Sequence, residues 1–312
     1  MKRLPRELVP VYALLAIVAL AEPGASQENI RDAVGVDPVT AIIEALKTHQ
    51  VVAFGEMHWN AEIADLRLKL VRDPRFSEVV RDIVVEFGTP KHQDVIDKYI
   101  GGGDVTAEDL AHVWSDTAFP NVWANPIYKQ FYQTVRDVNA RLPADRRIRV
   151  TLGEGETMAA EAEIIRSEVI ARGRNALLVW GAMHFPRKPL YYSISNRKLA
   201  ELIFNDPDSV STAAHLVEAH ITVFSIYPQT RDEFAAAQPD VASWQTPALA
   251  IVKGTRLGVE PFATFAVKDM IVTVPNADGD GTHEEPSLLD PGRSSLMQEQ
   301  FDAVLVLSPQ AK

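Results

Sequence analysis

Residues 51–58 read VVAFGEMH, a short apolar run that ends at a glycine followed by an acidic residue and a histidine. An apolar run of this length closed by glycine is typical of a strand that is buried on both faces of a sheet. The same pattern returns at residues 83–88, 148–155 and 176–184, with helical patterns between the runs. The sequence therefore predicts an α/β fold, in which a mostly parallel sheet carries helices on both faces.

Acidic and histidine side chains follow these four runs directly. The side chains are Glu56, His58, Glu86, Glu154 and His184. A single glutamate after a strand is usually a helix cap, and a single histidine is usually structural. The carboxyl ends of parallel strands, however, meet at one edge of a sheet, where ligands bind. Burying a charge is costly unless the charge is paired or has a function. We therefore expect these groups to lie in one pocket, within about one ligand diameter of each other.

Histidine beside carboxylates suits two kinds of chemistry. The histidine can act as a general base on water, or the whole set can hold a divalent metal such as Mn, Co or Zn. The chain contains no cysteine, so a metal site would use histidine and carboxylate ligands only. The spacing of Glu56 and His58 leaves both open. Without metal, we expect the carboxylates to raise the pKa of His58 above about 6.5.

The first 26 residues have the layout of a secretory signal peptide. Lys2 and Arg3 precede an apolar run at residues 9–21, and the small residues Ala21 and Ser26 follow. This predicts a periplasmic or secreted protein, with residues 27–312 as a single α/β domain; an uncleaved membrane anchor is the alternative. The net charge of −11 disfavours nucleic acid and anionic membranes. We therefore expect a small-molecule or peptide substrate, and no stable membrane association after cleavage.

Two segments between the regular patterns also carry predictions. Residues 101–125 combine three consecutive glycines with large aromatic residues, among them Trp114 and Trp123. This composition suggests a lid over the pocket, and an irregular surface loop is the simpler interpretation. Residues 275–295 are rich in Pro, Gly, Asp and Glu, which predicts an exposed loop.

The strand-end motifs resemble those of a known superfamily. Residues 54–58 and 84–86 resemble the first motifs of the superfamily that joins erythromycin esterases, ChaN-like haem-uptake proteins and the Tiki and TraB/GumN proteases, and residues 181–184 resemble its late Gly-x-x-His element. In the esterase branch the motif residues would correspond to Glu56, His58, Arg67 and Glu86, with the histidine activating water. One residue separates Glu56 from His58, which is closer to the ChaN and Tiki motif.

The resemblance and the residues together predict a hydrolase that uses a His/Glu pocket, with or without a divalent metal. Arg67 would stabilise negative charge if its helix turns inward, whereas a solvated helix face is the simpler interpretation. The alternative is a haem- or metal-binding uptake protein without turnover, since ChaN-like proteins imply haem. Tyr191 or Tyr192 would then be an iron ligand. A scaffold role without catalysis is a third alternative.

Overall fold

A seven-stranded sheet forms the centre of the computed structural model, which describes residues 30–191, 210–266, 271–275, 281–286, 289 and 291–309. In spatial order the strands are the third, second, fourth, first, fifth, ninth and sixth along the chain. All neighbours are parallel except the last pair, which is antiparallel. The strands are β1 (Val51–Glu56), β2 (Asp82–Val85), β3 (Arg149–Leu152), β4 (Ala176–Gly181), β5 (Val223–Thr230), β6 (Ala248–Ile251), β7 (Ile271–Pro275), β8 (Thr282–Pro286) and β9 (Ala303–Leu307).

Helices cover both faces of this sheet, so the predicted α/β class and the mostly parallel sheet are confirmed. In the described part of the chain the helices are α1 (Pro38–Thr48), α2 (Ala61–Arg72), α3 (Phe76–Val79), α4 (Gln93–Ile100), α5 (Ala107–Ser115), α6 (Pro120–Trp123), α7 (Pro126–Asn139), α8 (Met158–Glu168), α9 (Thr212–Glu218), α10 (Arg231–Ala235), α11 (Arg256–Val259) and α12 (Met297–Gln300). None of the helices in these described ranges is long and apolar enough to cross a membrane.

Strand β1 shows how the sequence produces this layered arrangement. Its residues are all buried, and successive side chains point to opposite faces of the sheet. Val52 and Phe54 pack into one core with apolar residues of α1, α2 and α7. Val51 and Ala53 pack into a second core with residues of α8 and α9. A strand with two buried faces needs apolar residues at every position, which explains the continuous run in the sequence.

The predicted strands are found, but one loop prediction is wrong. Residues 275–295 contain β8, which pairs antiparallel with β7 in a separate two-stranded sheet. Leu289 is also buried rather than exposed. The segment is rich in residues typical of loops. The two strands are nevertheless joined by backbone hydrogen bonds, which side-chain composition predicts poorly. Residues 1–29 lie outside the described residues, as does the predicted signal peptide.

Candidate functional site

Four neighbouring strands bring the predicted residues to one edge of the sheet. β3, β2, β4 and β1 are adjacent and parallel, so their carboxyl ends lie side by side. Glu56 is the last residue of β1, Glu86 follows β2 and Glu154 follows β3. His184 ends the short 3-10 turn Ala182–His184 that follows β4. The expected convergence of the strand ends therefore occurs.

Glu56 is the fixed centre of the first half of the site. Its side chain is buried, and both carboxylate oxygens are occupied. Oε2 accepts a 2.7 Å hydrogen bond from Nη1 of Arg67, and Oε1 accepts a 2.9 Å bond from the hydroxyl of Tyr128. Oε1 also lies 3.1 Å from Nδ1 of His58. A carboxylate with this many partners holds the imidazole of His58 in one orientation.

Arg67 turns inward, so the solvated-face interpretation is wrong. Asn60 caps α2 by accepting a hydrogen bond from the Ile63 N–H, and α2 then carries Arg67 into the core. The side chain is 1% exposed, and its guanidinium lies over the rings of Phe87, Tyr128 and Phe131 at 5.1–5.4 Å. Aromatic faces and a buried carboxylate together compensate for the lost hydration of this cation.

His184 forms the second half of the site, and both of its ring nitrogens are engaged. Nδ1 lies 2.9 Å from Oε2 of Glu161, and Nε2 lies 3.3 Å from Oε1 of Glu86. The hydroxyl of Thr212 donates a short hydrogen bond to Glu161. Burial opposes the charged imidazole, but the charges of Glu161 and Glu86 outweigh it and hold the pKa of His184 well above its usual value. The two neighbouring carboxylates therefore favour the charged form of His184.

Gly181 joins the two halves. Its backbone N–H donates a 2.7 Å hydrogen bond to Oε2 of Glu86. A methyl group added at Gly181 would lie only 3.0 Å from Nε2 of His58 and 3.6 Å from Oε2 of Glu86. Nε2 of His58 and the carboxylate of Glu86 thus approach the same glycine, which is possible because glycine has no side chain.

His58 keeps one nitrogen free in the described structure. Nδ1 faces Glu56, whereas Nε2 makes no hydrogen bond to a described residue, and the side chain is 34% exposed. Burial lowers the pKa of His58, but the hydrogen bond to Glu56 and the charges of Glu86 and Glu56 outweigh it, so the pKa lies above its usual value. The expected direction of this shift is confirmed. The pKa of Glu86 is lowered: burial opposes this, but the charge of His184 outweighs it.

The remaining predicted residues lie at the margin of the site or away from it. Oε1 of Glu154 accepts a 2.8 Å hydrogen bond from the N–H of Ala118, and burial with the charges of Glu86 and Glu161 raises the pKa of Glu154. Tyr191 packs elsewhere, with the guanidinium of Arg293 3.6 Å from its ring centre. Tyr192 lies outside the described residues. A role for either tyrosine as an iron ligand stays a prediction.

The predicted metal ligands are not grouped as a metal centre among the described residues, and their role as ligands stays a prediction. Within residues 30–191 and the other described ranges, no group of three or more histidine and carboxylate side chains is placed to hold a metal ion. The contacts of His184 give the reason, since its two nitrogens face Glu161 and Glu86. A metal at His184 would first have to displace one of these carboxylates.

Three residues of the site were missed in the sequence, and a fourth, Trp123, was named there only as part of the predicted lid. Tyr128 supports Glu56, Glu161 and Thr212 support His184, and the ring of Trp123 lies edge-on to His58 at 5.0 Å. Glu161 is one of several glutamates on α8. Its partners His184 and Thr212 are 23 and 51 positions away, so no local spacing marks it.

Substitution of Gly181 by alanine tests the contact between the two halves. The added methyl group would lie tightly against Nε2 of His58, so we expect His58 to rotate away from the site. The fold should persist, because the imidazole is partly exposed and can move. Histidine NMR should show a changed His58 signal with a nearly unchanged melting temperature. An unaltered His58 signal would argue against the contact.

The protonation of His184 should appear as a pH dependence of stability. Its pKa is about 6.5 in the unfolded chain and raised in the fold, so its contribution is complete below about pH 6.5 and is lost as pH rises through the folded value. We expect the difference in unfolding free energy between wild type and His184→Asn to shrink at alkaline pH. His220→Asn, at an exposed turn, is the matched control and should show a constant difference.

The fold and the site define an α/β protein with a histidine–carboxylate site at the carboxyl end of a parallel sheet. Residues 42–145 match a family described as haem-binding uptake, Tiki superfamily, ChaN. The matched segment includes Glu56, His58, Arg67 and Glu86. The match confirms the resemblance of this chain to the ChaN and Tiki superfamily.

Two solved structures of low sequence identity share the fold, and a third gives a weaker match. A Bacillus cereus protein is 8% identical, with a TM-score of 0.51 over 88% of this chain and 98% of its own. A succinoglycan biosynthesis protein is 10% identical, with a TM-score of 0.50 over 89% and 94%. ChaN of Campylobacter jejuni, described with cofacial haem binding, is 12% identical, with a TM-score of 0.38 over 62% and 86%. No protein with a curated description matches the sequence.

Proposed function

We propose that the protein is a hydrolase in which His58 activates a water molecule. The observation that carries this proposal is the asymmetry of the His58 imidazole. Nδ1 is bound to a buried carboxylate, whereas Nε2 faces the site without a hydrogen-bond partner among the described residues. In its neutral form this histidine donates Nδ1–H to Glu56 and presents the lone pair of Nε2. That is the arrangement of a general base oriented by a carboxylate.

The supporting residues suit this role. Arg67 and Tyr128 donate hydrogen bonds to the two carboxylate oxygens of Glu56, so the carboxylate is unable to rotate. The fixed carboxylate in turn holds His58 in position. His184 lies close enough to oppose the rise in the pKa of His58, but the hydrogen bond to Glu56 and the charges of Glu86 and Glu56 outweigh it.

The reaction that fits these groups is hydrolysis of an ester or amide in a small molecule or a peptide. The water oxygen bonds to the carbonyl carbon while one water proton moves to Nε2 of His58. The bond to the leaving group then breaks, and His58 returns the proton to that leaving group. The base ends the cycle neutral, as it began.

Turnover by the purified full-length protein tests this proposal. Ester and peptide substrates should be hydrolysed, and a chelator should leave the rate unchanged, because the proposed steps use side chains only. Glu56→Gln should lower kcat strongly, since an amide cannot hold the same charge beside His58. Loss of activity on chelation, restored by Mn, Co or Zn, would replace this mechanism with a metal-dependent one.

The family match favours haem binding as a second candidate. The matched family is described as haem-binding uptake, and the unpartnered Nε2 of His58 is the group in this site that fits iron. Titration with haem should then produce a Soret band that is lost in His58→Ala. A Soret band that depends on His58, without turnover of any ester or peptide, would favour a binding protein. Equal spectra for both forms of the protein would exclude His58 as the ligand.

A further inference from the structure

A chain of hydrogen bonds leads from α9 to the site. Glu161 on α8 is buried, and Thr212, the first residue of α9, is fully buried. The hydroxyl of Thr212 donates to Oε2 of Glu161, and the same oxygen lies 2.9 Å from Nδ1 of His184. Burying a carboxylate is costly unless it is paired, and both of these partners lie on the side of His184. The proposed reaction uses neither Glu161 nor Thr212 directly.

The start of α9 is itself fastened to the turn that carries His184. Ser211 caps α9, and its hydroxyl donates a short hydrogen bond to the carbonyl of Pro186, two residues after His184. On the other side, the ring of Trp180 stacks on the imidazole, with ring centres 6.2 Å apart and planes 15° apart. The contacts from α9, α8 and β4 therefore hold the His184 ring in one orientation.

The opposite nitrogen of His184 extends this chain to the space beside His58. Nε2 of His184 lies 3.3 Å from Oε1 of Glu86, and Oε2 of Glu86 accepts the 2.7 Å hydrogen bond from the Gly181 N–H. Nε2 of His58 and Oε2 of Glu86 lie 3.0 Å and 3.6 Å from the point where a methyl group of Gly181 would be. The Glu86 carboxylate and the unpartnered nitrogen of His58 therefore border the same small space.

We propose that Glu161 and Thr212 are positioning residues, which hold His184 against Glu86 and so keep the Glu86 carboxylate beside Nε2 of His58. This inference rests on the proposed hydrolysis for its effect on turnover. A water molecule that gives one proton to His58 can donate its other hydrogen bond to Glu86 only while that carboxylate keeps its position. A small misplacement of a group that orients a reactant is enough to lower the rate strongly.

Substitutions that alter single links of the chain test this proposal in the full-length protein. Thr212→Val keeps the shape of the side chain and removes the hydroxyl. We expect kcat for hydrolysis of 4-nitrophenyl acetate to fall about three- to tenfold, which corresponds to the loss of one hydrogen bond. Thr212→Ser keeps the hydroxyl and should retain most of the wild-type kcat. Glu161→Gln should lower kcat by up to about 100-fold. KM should change little in each variant, because the effect is on the chemical step.

Histidine NMR follows the same chain without any turnover. Thr212→Val should shift the signal of His184 and, by a smaller amount, the signal of His58. Thr134→Val is the matched control, because Thr134 is also buried and its hydroxyl accepts a 3.2 Å hydrogen bond from Arg72 at the end of α2. This control should leave kcat and both histidine signals unchanged. Glu161→Gln provides the same readouts if Thr212→Val does not fold.

The outcomes separate the positioning role from the proposed reaction. Shifted signals of both histidines in Thr212→Val, with a wild type that hydrolyses no ester or peptide, would support the positioning and refute the hydrolase. Unshifted signals in Thr212→Val and Glu161→Gln would overturn the positioning. A loss of kcat that Thr212→Ser shares in full, or that Thr134→Val reproduces, would overturn it as well.

Discussion

Replacement of His58 by alanine is expected to slow hydrolysis by about 10²–10⁴-fold, which is the usual loss when a general base is removed. The substitution removes the histidine nitrogen that has no hydrogen-bond partner among the described residues of the site, whereas both ring nitrogens of His184 contact carboxylates. Stability should fall only modestly. The His58 side chain is partly exposed, and Glu56 keeps its bonds to Arg67 and Tyr128.

Steady-state kinetics and chemical unfolding of the same preparations measure both effects. In wild type, kcat/KM should increase as pH rises through the pKa of His58, which lies above the usual value of about 6.5, because only the neutral imidazole accepts a proton. His112→Ala is a suitable control, since His112 is an exposed histidine on α5. Equal activity of wild type and His58→Ala would remove His58 from the mechanism.

The strand ends could be predicted because their signal is local. A buried parallel strand needs an apolar residue at nearly every position, and each apolar run ends at a glutamate that has a glycine within two positions. The order of the strands has no such local signal. β4 lies between β1 and β2, although it comes later in the chain than both, and this insertion brings Gly181 against His58 and Glu86.

The buried polar supports could not be predicted for a related reason. Arg67 lies on a helix whose pattern also fits a solvated face, and only the position of Glu56 and three aromatic rings reveals that the guanidinium is buried. Tyr128 donates a hydrogen bond to Glu56, which lies 72 positions earlier in the chain. Contacts between residues so far apart depend on how the helices pack on the sheet, which the spacing of residues along one helix does not determine.

Replacement of Arg67 by methionine is expected to destabilise the fold by about 3–5 kcal/mol, the typical cost of removing one partner of a buried ion pair. Glu56 and Arg67 are 4% and 1% exposed, and their charged groups are 2.7 Å apart. Once Arg67 is replaced, no cation among the described residues contacts Oε2 of Glu56. Tyr128 and His58 still contact the other oxygen. We therefore expect a folded but weakened protein, measured by urea unfolding at pH 7.

A second substitution shows whether the loss comes from the charge of Glu56. In Arg67→Met with Glu56→Gln the buried carboxylate is gone, so much of the lost stability should return, because a neutral amide costs less to bury than an unpaired charge. Arg166→Met is the matched surface control, since Arg166 pairs with Glu163 at 2.8 Å but both side chains are more than half exposed. It should cost little. If Arg67→Met costs no more than Arg166→Met, then Glu56 is stabilised by Tyr128 and His58 alone. The ion pair of Arg67 and Glu56 would then orient His58 without stabilising the fold.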